Sequence, residues 1–444
     1  MKAVSVLFFI QNFEVKRFSD CAGYREVVKP MLSSGFVKEH HISFFERSHE
    51  HIKPLLTERI ANYAQQFKGK RVVVYGAGLH TQSLLNAFTE LNIVAFADRE
   101  KTLQGQVKWG CPVIAPEQIP AYADAVLISS RAFESAIIQD LKKQLPESVF
   151  ILPLYQGLFD KEQWHRDMAT SLKQGVSEIE PAILFFLPSH PEENLPACYF
   201  HEIKNCYPSL KIVTLWWDYD EQSASSSYLE FERQSLSYSD LVIENTNDTR
   251  LNAMKNREGV YKDHIGAEKV IFHPTSIDPE LFFPRHLPKL YDVAIFGSSA
   301  GKRKEWIEFL QAELGDRFHH IGGVSHGDEP LPMEDYAKAI AQTKIVVNTQ
   351  TYPFRLQCKG RVREVLASGS FLLEEANQET KTFLNHKDFL AYFDSPEMLL
   401  EKIKYYLRDD NLRESLAKKA SQWFSENRSP ESWTSTLIAK LFPK

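Results

Sequence analysis

Three times along this chain an apolar, β-branched run meets a turn of small residues and then a segment with helical spacing, and this alternation restricts the fold more than any other feature. The clearest case is Arg71–Asn92. Arg71-Val-Val-Val-Tyr75 predicts a strand, Gly76-Ala-Gly78 a turn, and Leu84, Leu85, Phe88 and Leu91 recur on one helix face. A second strand, Ile93–Ala97, ends at Asp98, and Ala125–Ser129 leads into the amphipathic segment Ala132–Leu145. Such alternation demands a parallel sheet, because parallel strands are joined only by crossovers long enough to hold a helix. His51–Phe67, just upstream, has helical character and is expected to pack on that unit, whereas Met1–Glu50 receives no assignment.

The second recurrence opens at Ala182–Leu187. It continues through a helix near Cys198–Asn205, the strand Lys211–Trp217 ended by Asp218-Tyr-Asp220, a helix at Leu229–Ser237 and the strand Ser239–Glu244. After Val270–His273, four prolines (Pro274, Pro279, Pro284, Pro288) exclude a continuous helix and mark a linker. The third recurrence has strand Tyr291–Phe296, a glycine-serine turn, helix Glu305–Leu314, strand Ile345–Asn348, helix Val362–Ser368 and strand Ser370–Glu374, with helices Pro396–Leu407 and Asn411–Phe424 completing it. The expected fold class is α/β. The expected divisions are a segment 1–67 packing on the next domain, then 68–160, 180–286, 289–429 and a terminal helix 430–444. Two strand–helix domains joined by a Pro-rich segment point to a ligand held in the cleft between them.

Composition removes other classes. The 444 residues carry 43% apolar and 25% charged side chains, ordinary for a globular protein, and a formal charge of −6 argues against coating nucleic acid. No apolar run reaches the roughly 20 residues of a bilayer span, and Val4–Ile10 reads as a buried strand rather than a signal peptide. Five scattered cysteines without a Cys-x2-Cys pair fit a reducing, cytoplasmic compartment and argue against a structural zinc site.

Three segments carry candidate chemistry. Gly76-Ala-Gly78-Leu-His-Thr81 follows a strand and opens a helix, with Asp98 after the next strand. Gly76 and Gly78 would admit a phosphate at a helix start and Asp98 would hold ribose hydroxyls, though Thr81 replaces the third glycine. No hydride-transfer constellation follows, so an NAD-linked oxidoreductase has only this segment behind it. Gly297-Ser-Ser-Ala-Gly301-Lys-Arg-Lys304 lacks the Gly-Lys-Ser/Thr order of a P-loop; Gly297, Ser298 and Arg303 are candidates to cradle an anion. The third segment is the most informative. From Arg355 to Arg363 there are four cations and no acid, directly before a helix start near Gly360. Helix N-termini are already electropositive, so clustered cations there repel unless an anion such as a diphosphate offsets them. Lys359 and Arg361 suit that role, and Glu364, one turn in, suits ribose hydroxyls.

Lys359-Gly-Arg-Val-Arg-Glu-Val-Leu-Ala-Ser-Gly-Ser-Phe-Leu-Leu-Glu374 resembles the donor-binding motif of group 1 glycosyltransferases of the GT-B fold, closest to the branch named after spore-maturation proteins. Ser276-Ile-Asp-Pro-Glu-Leu-Phe-Phe-Pro284 resembles the domain-boundary signature of that class. The resemblance covers roughly residues 181–444. It implies a GT-B pair of Rossmann-like domains, 289–429 binding a UDP- or GDP-sugar donor and 180–286 presenting a glycan, lipid-linked glycan or protein hydroxyl. By it, Glu364 meets the ribose, Lys359 and Arg361 meet the phosphates, and the last helix crosses back to the first domain. No further cofactor and no metal are implied; neither nucleic acid nor a transmembrane segment is expected, while peripheral membrane contact is compatible. Many retaining members have a second glutamate eight residues before the first, where this chain has Leu356. The Gly76 unit resembles a Rossmann-like accessory domain of sugar-modifying enzymes.

Asp218-Tyr-Asp220 also matches the Asp-x-Asp pattern of metal-dependent GT-A enzymes. In a GT-B frame it ends an acceptor-side strand, and Asp218 becomes the candidate base for the acceptor hydroxyl. His190 and His273 are weaker cleft candidates, and Trp216-Trp217 reads as core. The alternative is a catalytically inactive nucleotide or sugar-nucleotide binding and regulatory protein, with Leu356 as its supporting feature.

Overall fold

In a computed structural model, the described residues are 3–12, 22–46, 49–130, 133–158, 160–189, 193–217, 226–299, 301–322, 331–351 and 356–443. The chain divides into two compact units. One holds the residues up to Phe45 together with those from Ala169 onward, and the other runs from Glu46 to Met168.

The larger unit contains two sheets. In the first, the strand order is Val270–Phe272, Leu241–Glu244, Lys211–Trp216, Ile183–Leu187, Val4–Asn12, Val37–Glu46. Val4–Asn12 pairs in parallel with Ile183–Leu187, Val6 opposite Ile183 and Ile10 opposite Leu187. The expected division at residue 67 is therefore corrected: the first 45 residues belong with this sheet rather than with the Gly76 unit. The reason is burial. Val6, Leu7, Phe8 and Phe9 are fully buried, and a run apolar on both faces is stable only inside a sheet covered on both sides.

The second sheet has the order Phe318–Ile321, Tyr291–Phe296, Thr343–Asn348, Phe371–Glu375, Ala391–Phe393, all parallel. Numbered along the chain, both sheets read 2-1-3-4-5, the first adding one more strand. Each therefore has its crevice where strands 1 and 3 part at their carboxyl ends. This is the GT-B type pair of doubly wound sheets. The last helix, Pro430–Leu441, puts Trp433, Leu437 and Leu441 into the core of the first sheet with Phe8 and Phe185.

The smaller unit is a third α/β sheet, ordered Val107–Lys108, Cys111–Ile114, Ile93–Ala97, Val72–Tyr75, Ala125–Ile128, Phe150–Pro153. Helix His49–Gln66 supplies Leu56, Ile60 and Ala64 to its core, against Val72 and Val74. Among the described residues, no helix is long and apolar enough to cross a membrane.

Candidate functional site

The crevice of the second sheet lies after Tyr291–Phe296 and Thr343–Asn348, and one side chain spans it. Arg303 donates from Nη1 to the Ser298 carbonyl at 3.1 Å, from Nε to Thr349 Oγ1 at 3.2 Å, and from Nη2 to the Thr349 carbonyl and Thr351 Oγ1 at 3.2 and 3.1 Å. All of these acceptors are neutral. Burial and the neighbouring Arg361 lower the guanidinium to about 10. Its neighbours Lys302 and Lys304 turn elsewhere, to Glu375 at 2.5 Å and Glu308 at 3.7 Å. Of the three cations expected at this loop, Arg303 alone turns into it.

Arg361 occupies the first turn of helix Gly360–Ser368. Its guanidinium lies over the rings of Phe296 and Tyr336, 5.4 and 5.0 Å from their centroids. Nε is 3.0 Å from Glu364 Oε2, while Nη1 is buried with no hydrogen-bond partner. Gly297 explains how two guanidiniums fit side by side. Its φ is +105°, and a Cβ there would stand 3.2 Å from Arg303 Nη1 and 3.5 Å from Arg361 Nη2. The Tyr336 hydroxyl donates to Glu364 Oε2 at 2.8 Å, and burial holds that phenol well above its ordinary range. Arg361 thus pairs with one carboxylate while Arg303 beside it bonds only neutral oxygens, in front of helical N–H groups that are themselves electropositive. Lys359, the N-cap, adds a third cation whose ammonium donates to Gln357 Oε1. The arrangement is short of negative charge, and a bound anion would supply it.

The fourth cation of the expected cluster leaves it. Arg363 is buried and donates to the Thr275 carbonyl at 2.8 Å, to Thr275 Oγ1, to Asn245 Oδ1 at 3.3 Å and to Glu26 Oε2 at 3.1 Å. Helical geometry explains the correction: residues 361 and 363 lie about 200° apart around the axis, so they face opposite sides. Arg363 joins the two halves of the larger unit instead of lining the anion site. Further bonds continue this seam: Asn247 Nδ2 donates to the Leu356 carbonyl at 2.8 Å, Cys358 N to the Thr246 carbonyl at 2.9 Å, and the Glu379 carboxylate accepts from the N–H groups that start helix Asp248–Lys255. Arg355, Asp218, Asp220 and His190 lie outside the described residues.

Sequence reasoning missed Glu26, Tyr336, Thr349 and Thr351. Tyr336 and the threonines had no local signal, and Glu26 is separated from Arg363 by 337 positions. His273 is removed from the cleft candidates: it stacks on Trp433 at 5.2 Å, bonds its carbonyl, and is lowered by burial to about 4. Trp216 is core, its indole N–H donating to Ser235 Oγ at 3.0 Å. An apolar cavity of about 740 Å³, lined in part by Phe282, Phe283, Ala367 and Phe424, shares no residue with the Gly297 loop.

In the smaller unit, Gly76 has φ +110°, and a Cβ there would stand 2.7 Å from the Ser129 carbonyl oxygen. Asp98 accepts from Ala77 N–H at 2.8 Å and Glu100 N–H at 2.9 Å, one on each oxygen. Gly78 precedes a helix of only six residues, Leu79–Leu84. The structure thus brings Gly76, Gly78 and Asp98 together around one loop, with the carboxylate engaged by backbone.

Two families match parts of the chain: one described as glycosyl transferase-like over residues 284–439, and one described as C2185-like, N-terminal over residues 68–148. No curated protein matches. Among solved structures, the chain is similar to Anabaena HepE in complex with UDP and glucose, at 12% identity and TM-score 0.47, covering 84% of this chain and 99% of that one. An OtsA apo structure has 12% identity and TM-score 0.46 over 85% and 100%, and TarM has 11% and 0.44 over 84% and 99%. Gly297, Arg303, Arg361 and Glu364 all lie within the residues that match the glycosyl transferase-like family.

Proposed function

We propose that this protein transfers a sugar from a nucleoside diphosphate sugar to an acceptor hydroxyl, on a glycan, a lipid-linked glycan or a protein. The observation that carries the reading is the pair of adjacent guanidiniums at Gly297, of which Arg361 pairs with Glu364 and keeps a buried Nη1 unpartnered while Arg303 bonds only neutral oxygens. In this reading Arg361, Lys359 and the N–H groups after Gly360 meet the diphosphate, while Arg303 fixes the loop and adds its field. Glu364 Oε1, which accepts no hydrogen bond among the described residues, faces the ribose. The chief catalytic contribution is electrostatic: groups already oriented toward the diphosphate stabilise the charge that grows on it as it leaves. The cleft side of the first half presents the acceptor, which makes the two events one intramolecular encounter. The spore-maturation-like branch and the accessory role of the Gly76 unit belong to the same proposal.

The test is a thermal-shift series with UDP, GDP and their sugars on the unsubstituted chain and on Glu364→Ala. A nucleoside diphosphate at about 100 times its Kd stabilises by about 2.7 kcal/mol, and Glu364→Ala should cut that gain. No shift with any of them rejects the reading. Leu356, standing where retaining relatives carry glutamate, favours a second reading as a binding protein without turnover. Release of free sugar from a bound donor distinguishes the transferase from it.

A further inference from the structure

A lysine ammonium sits on a flexible four-carbon stem, so it serves an anion site only as well as its position is fixed. Lys359 is fixed from two residues upstream, its ammonium donating to Gln357 Oε1. Gln357 is fully buried, and its backbone is clamped by a second buried carboxamide. Its N–H donates to Gln350 Oε1 at 3.2 Å and its carbonyl accepts from Gln350 Nε2 at 3.1 Å, so one side chain pairs with it as a neighbouring strand would. Gln350 stands between Thr349 and Thr351, which fix Arg303 in the crevice, and its own N–H donates to Glu375 Oε2 at 2.7 Å. The residues on either side of Gln357 are tied to the other half. The Leu356 carbonyl accepts from Asn247 Nδ2 at 2.8 Å, and Cys358 N–H donates to the Thr246 carbonyl at 2.9 Å. Three consecutive residues are thus anchored immediately before Lys359, and direct hydrogen bonds place the middle one at the crevice that holds Arg303.

The chemical kind of the holding oxygen matters as much as its place. A carboxylate takes up much of an ammonium's charge, as Glu375 does for Lys302 at 2.5 Å. The Gln357 carboxamide fixes the position of Lys359 and leaves its charge to act on a ligand. Arg303 is treated alike, its acceptors being two carbonyls and two threonine hydroxyls. We infer that Gln357 is a positioning residue of the donor site, holding the Lys359 ammonium for the diphosphate of a nucleotide sugar without neutralising it, with Gln350 as its support. The inference rests on the transferase reading, in which Lys359 meets the diphosphate. Because Leu356 and Cys358 are bonded to Asn247 and Thr246, the same strap makes the place of this lysine depend on a loop of the first half.

The experiment measures binding of UDP, GDP, uridine and guanosine to the full chain by calorimetry, for the unsubstituted protein, Gln357→Met, Lys359→Met and the double variant. Gln357→Met should weaken binding of the preferred diphosphate about tenfold and leave its nucleoside within about twofold. In the Lys359→Met background the same substitution should change diphosphate affinity by less than about twofold, because the group it positions is gone. Gln357→Glu keeps the shape and supplies a carboxylate, so it should weaken diphosphate binding at least as far with the melting temperature unchanged. That variant decides the matter if Gln357→Met does not fold. Unaltered diphosphate affinity in Gln357→Met overturns the inference, as do equal losses with and without Lys359 or equal losses for diphosphate and nucleoside. Undiminished diphosphate binding by Gln357→Glu overturns it too. Failure of the unsubstituted chain to bind either diphosphate instead rejects the transferase reading itself.

Discussion

Gly76 and Gly297 end the first strand of their respective sheets, carry φ of +110° and +105°, and precede a helix, yet they serve different ends. A side chain on Gly76 would strike a backbone carbonyl at 2.7 Å, whereas one on Gly297 would crowd two guanidiniums. Around Gly76 the nearby carboxylate is engaged by Ala77 and Glu100 N–H groups, and Thr81 Oγ1 donates to the Gly76 carbonyl at 2.8 Å. Around Gly297 a buried N–H of Arg361 has no partner. The first glycine lets two loops pack; the second leaves room beside unmet charge. A glycine turn after a strand thus says little about ligands until the polar groups around it are accounted for.

The contrast breaks most readily at Gly76. Gly76→Ala forces a non-glycine residue into positive φ against a fixed carbonyl, which should cost on the order of 2 kcal/mol or more. Hydrogen exchange should show the loss of protection confined to residues 68–158, with UDP or GDP affinity unchanged. Unaltered protection would mean that Gly76 is not there for close packing.

A smaller effect sharpens the other side. Arg361→Met keeps most of the bulk and removes the charge, and should weaken UDP or GDP binding about 10–100-fold, the range for charge-assisted hydrogen bonds. Asp98→Asn should leave that affinity unchanged, measured by calorimetry under the same conditions. Equal losses in both variants would erase the distinction between the two loops.

The smallest effect is a pH slope. Glu374, buried under the Gly297 crevice among Asn348, Asn377 and Thr380, is pushed by burial to about 7. A folded-state value above the unfolded one means that the stabilising contribution is complete below about 4.5 and is lost as pH rises through about 7. The melting temperature of the larger unit should therefore fall between pH 5 and pH 8, and Glu374→Gln should flatten that slope. An unchanged slope in the variant assigns the pH dependence to other groups.

Much of the second half was legible in the sequence because its signals are local. The strand at Tyr291, the glycine after it and the cations ahead of Gly360 are contiguous features, and Arg361 and Glu364 meet because residues three apart share a helix face. The first half was less legible. Val4–Ile10 announced a buried strand, but its neighbour Ile183–Leu187 begins more than 170 residues later, and nothing in a local pattern specifies that pairing.

By itself, the sequence determined the α/β class, the positions of the strand–turn–helix units, and the excess of positive charge before Gly360, since each follows from side-chain periodicity, backbone freedom or charge within a few residues. Only the tertiary structure decided which cation serves which purpose. Arg361 stays at the Gly297 loop, Arg363 crosses to Glu26 and Thr275, and Asp98 holds its own loop. Those outcomes depend on partners brought together by the packing of two sheets, and a charge alone does not identify the oxygen that will neutralise it.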